Sequence, residues 1–517
     1  LRMGIDLCIP KGNTVLCNPS IKDISDVQVE DLVFGHDGDF HSVTEKYQRE
    51  YNGSLILIKP WFLPFALSCT PNHPILAVKL TEFLNRQPMW FSAGEINKES
   101  HYLAIPLPIE CDINHIKISD FIPVILEGDF AYATQRTRNS SILMKARNQK
   151  PIKNILPITD DLLKICGLYV SEGSTSNRFS TITFSFGKHE TNLIAETQEL
   201  IKKVFGIDGK ICPEHKSCVS IRFHWTLLGR LFKSWFGNNA RQKRFPSWII
   251  KLPKEKLARV VQYAWRGDGT SYKDKNSKRL VFSYRTASLT LAYQIWLSLN
   301  KVGFTSSIVI DRWGGFSKNP GYIVTFRTPS SFIHNNYVWL PIRRVEKINF
   351  NGQVYNLKVQ ESNSYLCNGL AVHNCGEDLA VSDQRFTVLL LQKADGRLIR
   401  VFGRVNEALK HELLSKAKAL VLPYLEDSVA WTCQTILEAF QHGTPVITMN
   451  RGAVNEFVKD GVNGFVCKRL DQLLEAVKKI DEIKPENCVD TAKEFSLESA
   501  VTKYQELLRQ VSEGYEW

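Results

Sequence analysis

Three sets of residues in this chain have types and spacings that could do chemistry. The first is His373-Asn374-Cys375. An Asn side-chain amide can attack its own backbone carbonyl, closing a succinimide and cutting the chain behind itself. That step is slow unless a neighbour polarises the carbonyl or helps move a proton, and His373 is adjacent. Cys375 then presents a thiol, the best side-chain nucleophile near neutral pH. The second set lies at the other end. Cys8 is a second thiol, and Thr70 and His73 stand three residues apart at a predicted strand end, where together they can hold and protonate a backbone amide. The plain alternatives are a loop that happens to read His-Asn-Cys and a satisfied structural His. The third set is a pair of acids. Glu172 closes an apolar run of helical spacing that starts at Asp160, and Asp268 closes another that starts at Leu257; Gly173 and Gly269 follow. Two acids brought together by packing two helices make a hard oxygen site suited to Mg²⁺. Phosphodiester hydrolysis uses such a metal to activate water and stabilise the leaving oxygen.

Length and charge bound the setting. At 517 residues the chain has room for roughly three domains. No apolar run reaches the ~20 residues of a membrane span and no signal peptide is read, so a cytoplasmic protein is expected. Twelve scattered Cys do not make a secreted disulfide framework, and neither Cys8/Cys17 nor Cys212/Cys218 fits a zinc ligand set. The charge is uneven. Residues 375–517 carry 18 Lys and Arg against 22 Asp and Glu, a net −4. Arg2 and Asp6 cancel, so the formal +12 leaves +16 for residues 8–374. A basic segment 8–374 beside a mildly acidic segment 375–517 points the former toward nucleic acid.

The elements follow in order. Residues 1–7 read as a helix end and a strand start, and with no opening Met, upstream sequence is expected. Residues 8–108 carry short alternating segments broken by Asn-Gly and Asp-Gly, the pattern of an all-β domain. Residues 109–150 read as a connector: the stretches 136–141 and 145–153 are basic and poor in apolar pattern, a solvated linker or a phosphate-contacting stretch. Residues 151–330 repeat an αββα-like unit: the two acid-ended helices are each followed by strands and by a further helix, over 195–204 and 289–299. Residues 331–374 return to strand alternation, with Asn351-Gly352 as a hairpin turn. Residues 375–517 alternate as α/β, with strands over 386–391, 400–403 and 419–423 and helices over 406–417 and 432–440.

The segments Cys8 to Gly12, Thr70 to Pro74, Val354 to Val359 and Asn368 to Cys375 resemble, in order and spacing, the conserved blocks of inteins. The resemblance covers 8–374 apart from a nested insertion. It implies the horseshoe-shaped, all-β Hint fold and autocatalytic protein splicing without a cofactor. Cys8 would convert the Leu7 peptide to a thioester, aided by Thr70 and His73. Cys375 would take over the acyl group. Asn374 would cyclise with help from His373. Two positions depart from the pattern: Asn356 stands where many inteins carry Asp, and Asn363 where many carry His.

Ile165 to Gly173 and Val261 to Gly269 resemble the paired motifs of LAGLIDADG homing endonucleases, which are commonly nested in inteins. The resemblance implies that Glu172 and Asp268 bind Mg²⁺ and act as catalytic carboxylates. Residues 239–246 resemble a family segment that makes Lys243 an auxiliary catalytic lysine. A saddle of strands would sit in the major groove of double-stranded DNA, the intein-free host allele. The aromatic pieces 222–226 and 311–315 read as core and turn rather than base contacts. Tyr263 stands where the second motif usually has Gly.

Residues 436–446 resemble the nucleotide-sugar-binding, Rossmann-like domain of retaining glycosyltransferases with the B-type fold. Glu438 would hold the donor ribose; Ala430 stands where that family has an earlier Glu. The expected architecture is therefore multidomain: a splicing domain (8–108 and 331–374) split by an α+β endonuclease (151–330), between a seven-residue host remnant and a glycosyltransferase domain (375–517). A monomer is expected. The competing reading is a glycosyltransferase fragment whose insert splices around a decayed endonuclease, or is inert.

Overall fold

The computed structural model of the chain describes residues 7–82, 87–136, 143–145, 150–176, 180–215, 217–274, 280–311, 320–327, 333–374, 407–423, 434–450 and 453–513. Two units divide the chain, Leu1–Gln384 and Arg385–Trp517.

The first unit begins with β1 (Ile9–Pro10), β2 (Phe40–Pro60), β3 (Leu67–Cys69), β4 (Pro74–Lys79) and β5 (His101–Pro106). Apolar residues alternate inward along them, as at Leu67 and Cys69 in β3. The stretch read as a connector is not a bare solvated strap. It carries several short strands, among them β6 (Phe130–Arg136), and it buries Ile116, Ile118, Ile122, Ala131 and Ala133. Between 109 and 135 these apolar residues are broken up by Glu110, Asp112, Asp120, Glu127 and Asp129, so no long alternating run stands out in the sequence.

The repeat follows. Its first copy is α1 (Asp160–Glu172), β7 (Gly173–Thr175), β8 (Thr181–Gly187), α2 (Thr191–Phe205), β9 (Lys210–His215) and β10 (Cys218–His224), closed by α3 (Thr226–Phe236). Its second copy is α4 (Lys254–Asp268), β11 (Gly269–Lys273), β12 (Leu280–Thr286), α5 (Leu289–Val302), β13 (Thr305–Asp311) and β14 (Gly321–Arg327). Each copy folds its four strands into an antiparallel sheet of one topology, with the fourth strand between the second and third. The unit is thus αββαββ, two strands longer per copy than the sequence pattern indicated. Its helices start where capping chemistry allows. Thr159 accepts from the amide of Leu162 and Ser288 from that of Leu291, each satisfying an orphan helix donor. Asp160 and Asp161 in the first turn of α1 favour its dipole.

The chain then returns through β15 (Tyr337–Val359), β16 (Ser364–Cys367) and β17 (Leu370–His373). β15 pairs with β2 from Ile342 opposite Pro60 to Val359 opposite Val43. Here the expected Asn351-Gly352 hairpin turn is corrected. Both residues lie inside β15, facing Asn52 and Tyr51 of β2. The cross-strand partner satisfies their backbone groups, so the pairing overrides the local turn preference. β15 also pairs with β1 and β5, and β17 with β4. Asn368, at φ +47° in the turn between β16 and β17, ties the two ends of the segment together. It accepts from the Thr14 amide and hydroxyl at 2.8 and 2.7 Å and donates to Asn13 and to the Ala66 carbonyl. Asn tolerates this left-handed conformation better than other side-chain-bearing residues. One apolar core runs from Ile9 to Val372, joining the sheet and the repeat.

The second unit is α/β. α6 (Glu407–Lys416), β18 (Leu420–Leu422), α7 (Gln434–Gln441), β19 (Val446–Met449) and β20 (Gly464–Cys467) build a parallel sheet ordered β18-β19-β20, with its own core around Ile436, Phe440 and Ile447. The strands expected over 386–391 and 400–403 lie outside the described residues.

Candidate functional site

Two centres lie in the first unit. The first surrounds the Leu7–Cys8 peptide. β1 pairs with β15 so that Ile9 faces Tyr355, which sets Asn356 beside Leu7. The Asn356 amide Nδ2 donates to the Leu7 carbonyl at 2.5 Å. On the other side of the same peptide, the Cys8 amide donates to Thr70 Oγ1 at 2.9 Å, and the Thr70 amide donates to the Cys8 carbonyl at 2.9 Å. Leu7, Cys8, Thr70 and Asn356 are all buried. The Leu7–Cys8 peptide is therefore gripped at both its oxygen and its nitrogen.

His73 is fully buried, and neither ring nitrogen has a hydrogen-bond partner among the described residues. Burial pushes its imidazole down to about 3, and His373 adds to the shift, so the ring is neutral at pH 7. An unfolded His titrates near 6.5. Between those values the unfolded chain takes up a proton that the folded chain refuses. Stability is therefore full above pH ~6.5 and falls as the pH drops toward 3. His73→Gln is expected to flatten that slope in thermal unfolding followed from about pH 7 to pH 4. A slope unchanged by the substitution would assign the effect to other groups.

The C-terminal edge closes on the same place. Ser364 faces His373 across the β16–β17 hairpin, and Val372 faces Ile75 of β4, two residues beyond His73. His373 Nδ1 lies 3.1 Å from the Asn374 carbonyl oxygen, and its ring packs edge-on against Trp90. With a proton on Nδ1, His373 polarises the carbonyl that the Asn374 side chain would attack. Asn374 is fully buried. Its backbone amide donates to the Asn363 carbonyl at 2.8 Å, and its Nδ2 reaches Asn363 Oδ1 and the Val359 carbonyl, each at 3.3 Å. Asn363 therefore orients the amide. Cys375 lies outside the described residues.

The second centre is the joint end of α1 and α4. The two helices approach closely because Gly167 faces α4. A Cβ there would come within 2.4 Å of the Val260 carbonyl and 2.8 Å of Tyr263 Cβ. Tyr263 does not hold the helices apart. Gly167 makes the room, and the phenol swings out to donate to Glu196 at 2.5 Å. Ser171 donates to the Ala264 carbonyl at 2.7 Å, and Gly267 packs on Ser171 and Glu172. Glu172 and Asp268 consequently end side by side.

Burial, with Asp268 next, pushes the Glu172 carboxyl up to about 8, against the pull of Lys243. Asp268 keeps a solvent-exposed side, yet the protein around its carboxyl raises it too, and Lys243 pulls it back. Two crowded oxygen ligands that resist sharing negative charge fit a divalent cation, whose charge would relieve both. Lys243 is buried beside them. Its Nζ donates to the Tyr169 and Gly173 carbonyls, each at 2.5 Å, which satisfies the end of α1. Burial depresses it to about 7, against the opposing pull of Asp268 and Glu172. A cleft of about 300 Å³ opens over Lys243, Asp268 and Arg285. Lys210, Arg222 and His224 are exposed on the first sheet, and Lys273, Arg285 and Arg327 on the second. Phe223, between Arg222 and His224, and Trp225, which follows them, are buried as core.

In the second unit, Glu438 on α7 accepts from Lys410 of α6 at 3.0 Å. A sugar hydroxyl at Glu438 would share the carboxylate with that lysine. Ala430 lies outside the described residues.

Asn356 and Tyr365 are the participants that spacing alone did not single out. Tyr365 donates to Asn356 Oδ1 at 2.9 Å. Asn356 showed only as a departure from a family pattern.

Comparison with known proteins adds the following. Residues 376–482 match the family model described as Glycosyl transferases group 1. The chain is 26% identical to an uncharacterized protein of Methanocaldococcus jannaschii, over 71% of this chain and 50% of that protein. It is 25% identical to the ATP-dependent DNA helicase Hel308 of Thermococcus kodakarensis, over 71% of this chain and 36% of the helicase. It is 24% identical to an iron-sulfur cluster assembly SufBD family protein of Mycobacterium bovis, over 73% of this chain and 44% of that protein. The chain thus spans half or less of the curated relatives' own length. Among solved structures it is similar to the homing endonuclease I-DmoI in complex with DNA and Mn, at 15% identity and a TM-score of 0.23, over 33% of this chain and 90% of that one. It is likewise similar to the homing endonuclease I-WcaI bound to its DNA recognition sequence, at 12% identity and a TM-score of 0.25, over 33% and 76% of the two chains.

Proposed function

We propose that residues 8–374 are an intein that excises itself and joins Leu7 to Cys375. The observation that carries this reading is the grip on the Leu7–Cys8 peptide, held at its carbonyl by Asn356 and at its nitrogen by Thr70, in the cluster that also holds buried His73 and Asn374 and half-buried His373. Cys8 attacks the Leu7 carbonyl. Cys375 takes the acyl group by transthioesterification. Asn374 cyclises and releases the guest, and an S-to-N shift restores a peptide bond. The protein contributes proximity and proton placement, which suffice because each step exchanges bonds of similar energy. The relatives support an insertion. A helicase and an iron-sulfur assembly protein have no function in common by name, yet each matches about the share of this chain that 8–374 occupies.

The excised guest is further proposed to be a homing endonuclease for double-stranded DNA of the uninterrupted host gene. Glu172 and Asp268 would hold Mg²⁺, which supplies an activated water and charge stabilisation at the leaving oxygen. The chain's own part is to fix the two carboxylates through the α1–α4 contact and to present Lys and Arg to phosphates. Residues 375–517 would belong to a glycosyltransferase host, with Glu438 toward a nucleotide-sugar donor.

Intact-mass spectrometry of the expressed chain tests the splicing reading. Masses matching 8–374 and a joined 1–7/375–517 are expected. A precursor that even thiol does not cleave at Leu7–Cys8 would rule it out.

A further inference from the structure

We infer that Asn356 is a catalytic residue of the first splicing step, an amide oxyanion donor standing where many inteins carry a carboxylate. The inference rests on the splicing reading above and names a group that reading does not require. Three contacts carry it. Asn356 is fully buried on β15, and its Nδ2 donates to the Leu7 carbonyl oxygen at 2.5 Å. Its Oδ1 accepts from the Leu357 amide at 2.7 Å and from the Tyr365 hydroxyl at 2.9 Å. With two donors on Oδ1, the amide has one satisfactory orientation, the one that points NH₂ at Leu7.

The chemistry is a redistribution of one proton and two bonds. As Cys8 Sγ bonds to the Leu7 carbonyl carbon, the carbonyl oxygen takes up negative charge. The C–N bond then breaks, the oxygen returns to a carbonyl, and the thiol proton ends on the freed Cys8 amine. A fixed N–H aimed at that oxygen, in a buried site, stabilises the charge where it develops. Thr70 Oγ1 holds the nitrogen side of the same peptide and so keeps the carbonyl in register with Asn356. Tyr365 does not touch the reacting atoms; it positions Asn356.

The test is thiol-induced cleavage at Leu7–Cys8, timed by intact mass in an Asn374→Ala background, which blocks release. Asn356→Ala is expected to slow cleavage by about 10²–10³-fold, the scale of a lost oxyanion-hole donor. Tyr365→Phe should slow it less, and should have no further effect in the Asn356→Ala chain. A second readout separates chemistry from misfolding. In a Cys8→Ala chain that retains Asn374, cleavage after Asn374 should proceed at the same rate with or without Asn356→Ala. Equal thiol cleavage in the Asn356→Ala chain overturns the inference and leaves the splicing reading standing. Parallel loss of both cleavages also overturns it, reducing Asn356 to a structural residue. A parent chain that forms no thiol-sensitive bond removes the splicing reading, and the inference with it.

Discussion

Cys8→Ala is expected to abolish joining of the flanks and thiol-induced cleavage at Leu7–Cys8, while cleavage after Asn374 continues. The two ends of the insert share a buried cluster but not the same atoms. The first step needs a thiol at position 8, because no other side chain there can bond to the Leu7 carbonyl. The second end uses groups already in place: Asn363 fixes the Asn374 amide, and His373 Nδ1 lies 3.1 Å from the carbonyl to be attacked. Fragments matching 1–374 and 375–517 should therefore accumulate in place of the joined host. The converse variant, Asn374→Ala, should keep a thiol-sensitive Leu7–Cys8 bond and lose release. His373→Ala in the Cys8→Ala chain should slow the remaining cleavage by about 10²–10⁴-fold, the usual contribution of a positioned acid-base group. Gel mobility and intact mass read all three. Joined product from the Cys8→Ala chain would end the assignment, since it would mean the flanks are exchanged without a thioester.

How much of this could be read beforehand differs from residue to residue. Apolar spacing located α1, α4 and α5, because buried helices carry their period in the sequence. The acids at the ends of α1 and α4 were visible for the same reason. Asn356 was not, because its role depends on β1 lying against β15, and that pairing joins residues about 350 positions apart in the chain. Local chemistry also misled at Asn351-Gly352, a strong turn dipeptide that the β2–β15 ladder holds extended. The strands within 109–150 were hidden because they are short and carry no long alternating run. Tyr263 looked like an obstacle to helix packing, but the room comes from Gly167 on the opposite helix. Such compensation is a property of a pair, and neither position states it alone.

Glu172→Gln and Asp268→Asn are expected to reduce DNA cleavage by on the order of 10³-fold or more, as removal of a metal-binding charge forfeits several kcal/mol of transition-state stabilisation. The substrate is a plasmid carrying the host coding sequence joined without the segment for 8–374, incubated with Mg²⁺, and the readout is linear product. Splicing should be untouched. That second half is a demanding claim, because one apolar core joins the splicing strands to the repeat. α5 is buried along nearly its whole length, and its Thr290 accepts from the amide of Ile21 in the N-terminal strand region. A destabilising change in the repeat would thus be felt at the splicing centre. The amide replacements avoid this. They keep the size of each side chain, they leave the Gly167 and Ser171 contacts between α1 and α4 intact, and they remove charge from two carboxyls that the fold already holds above their usual range. Folding should be neutral or slightly favoured, while metal affinity falls. Unchanged cleavage would remove Glu172 and Asp268 from the active centre. Loss of cleavage and splicing together would show that the two activities cannot be separated along this chain, contrary to a guest carried within a guest.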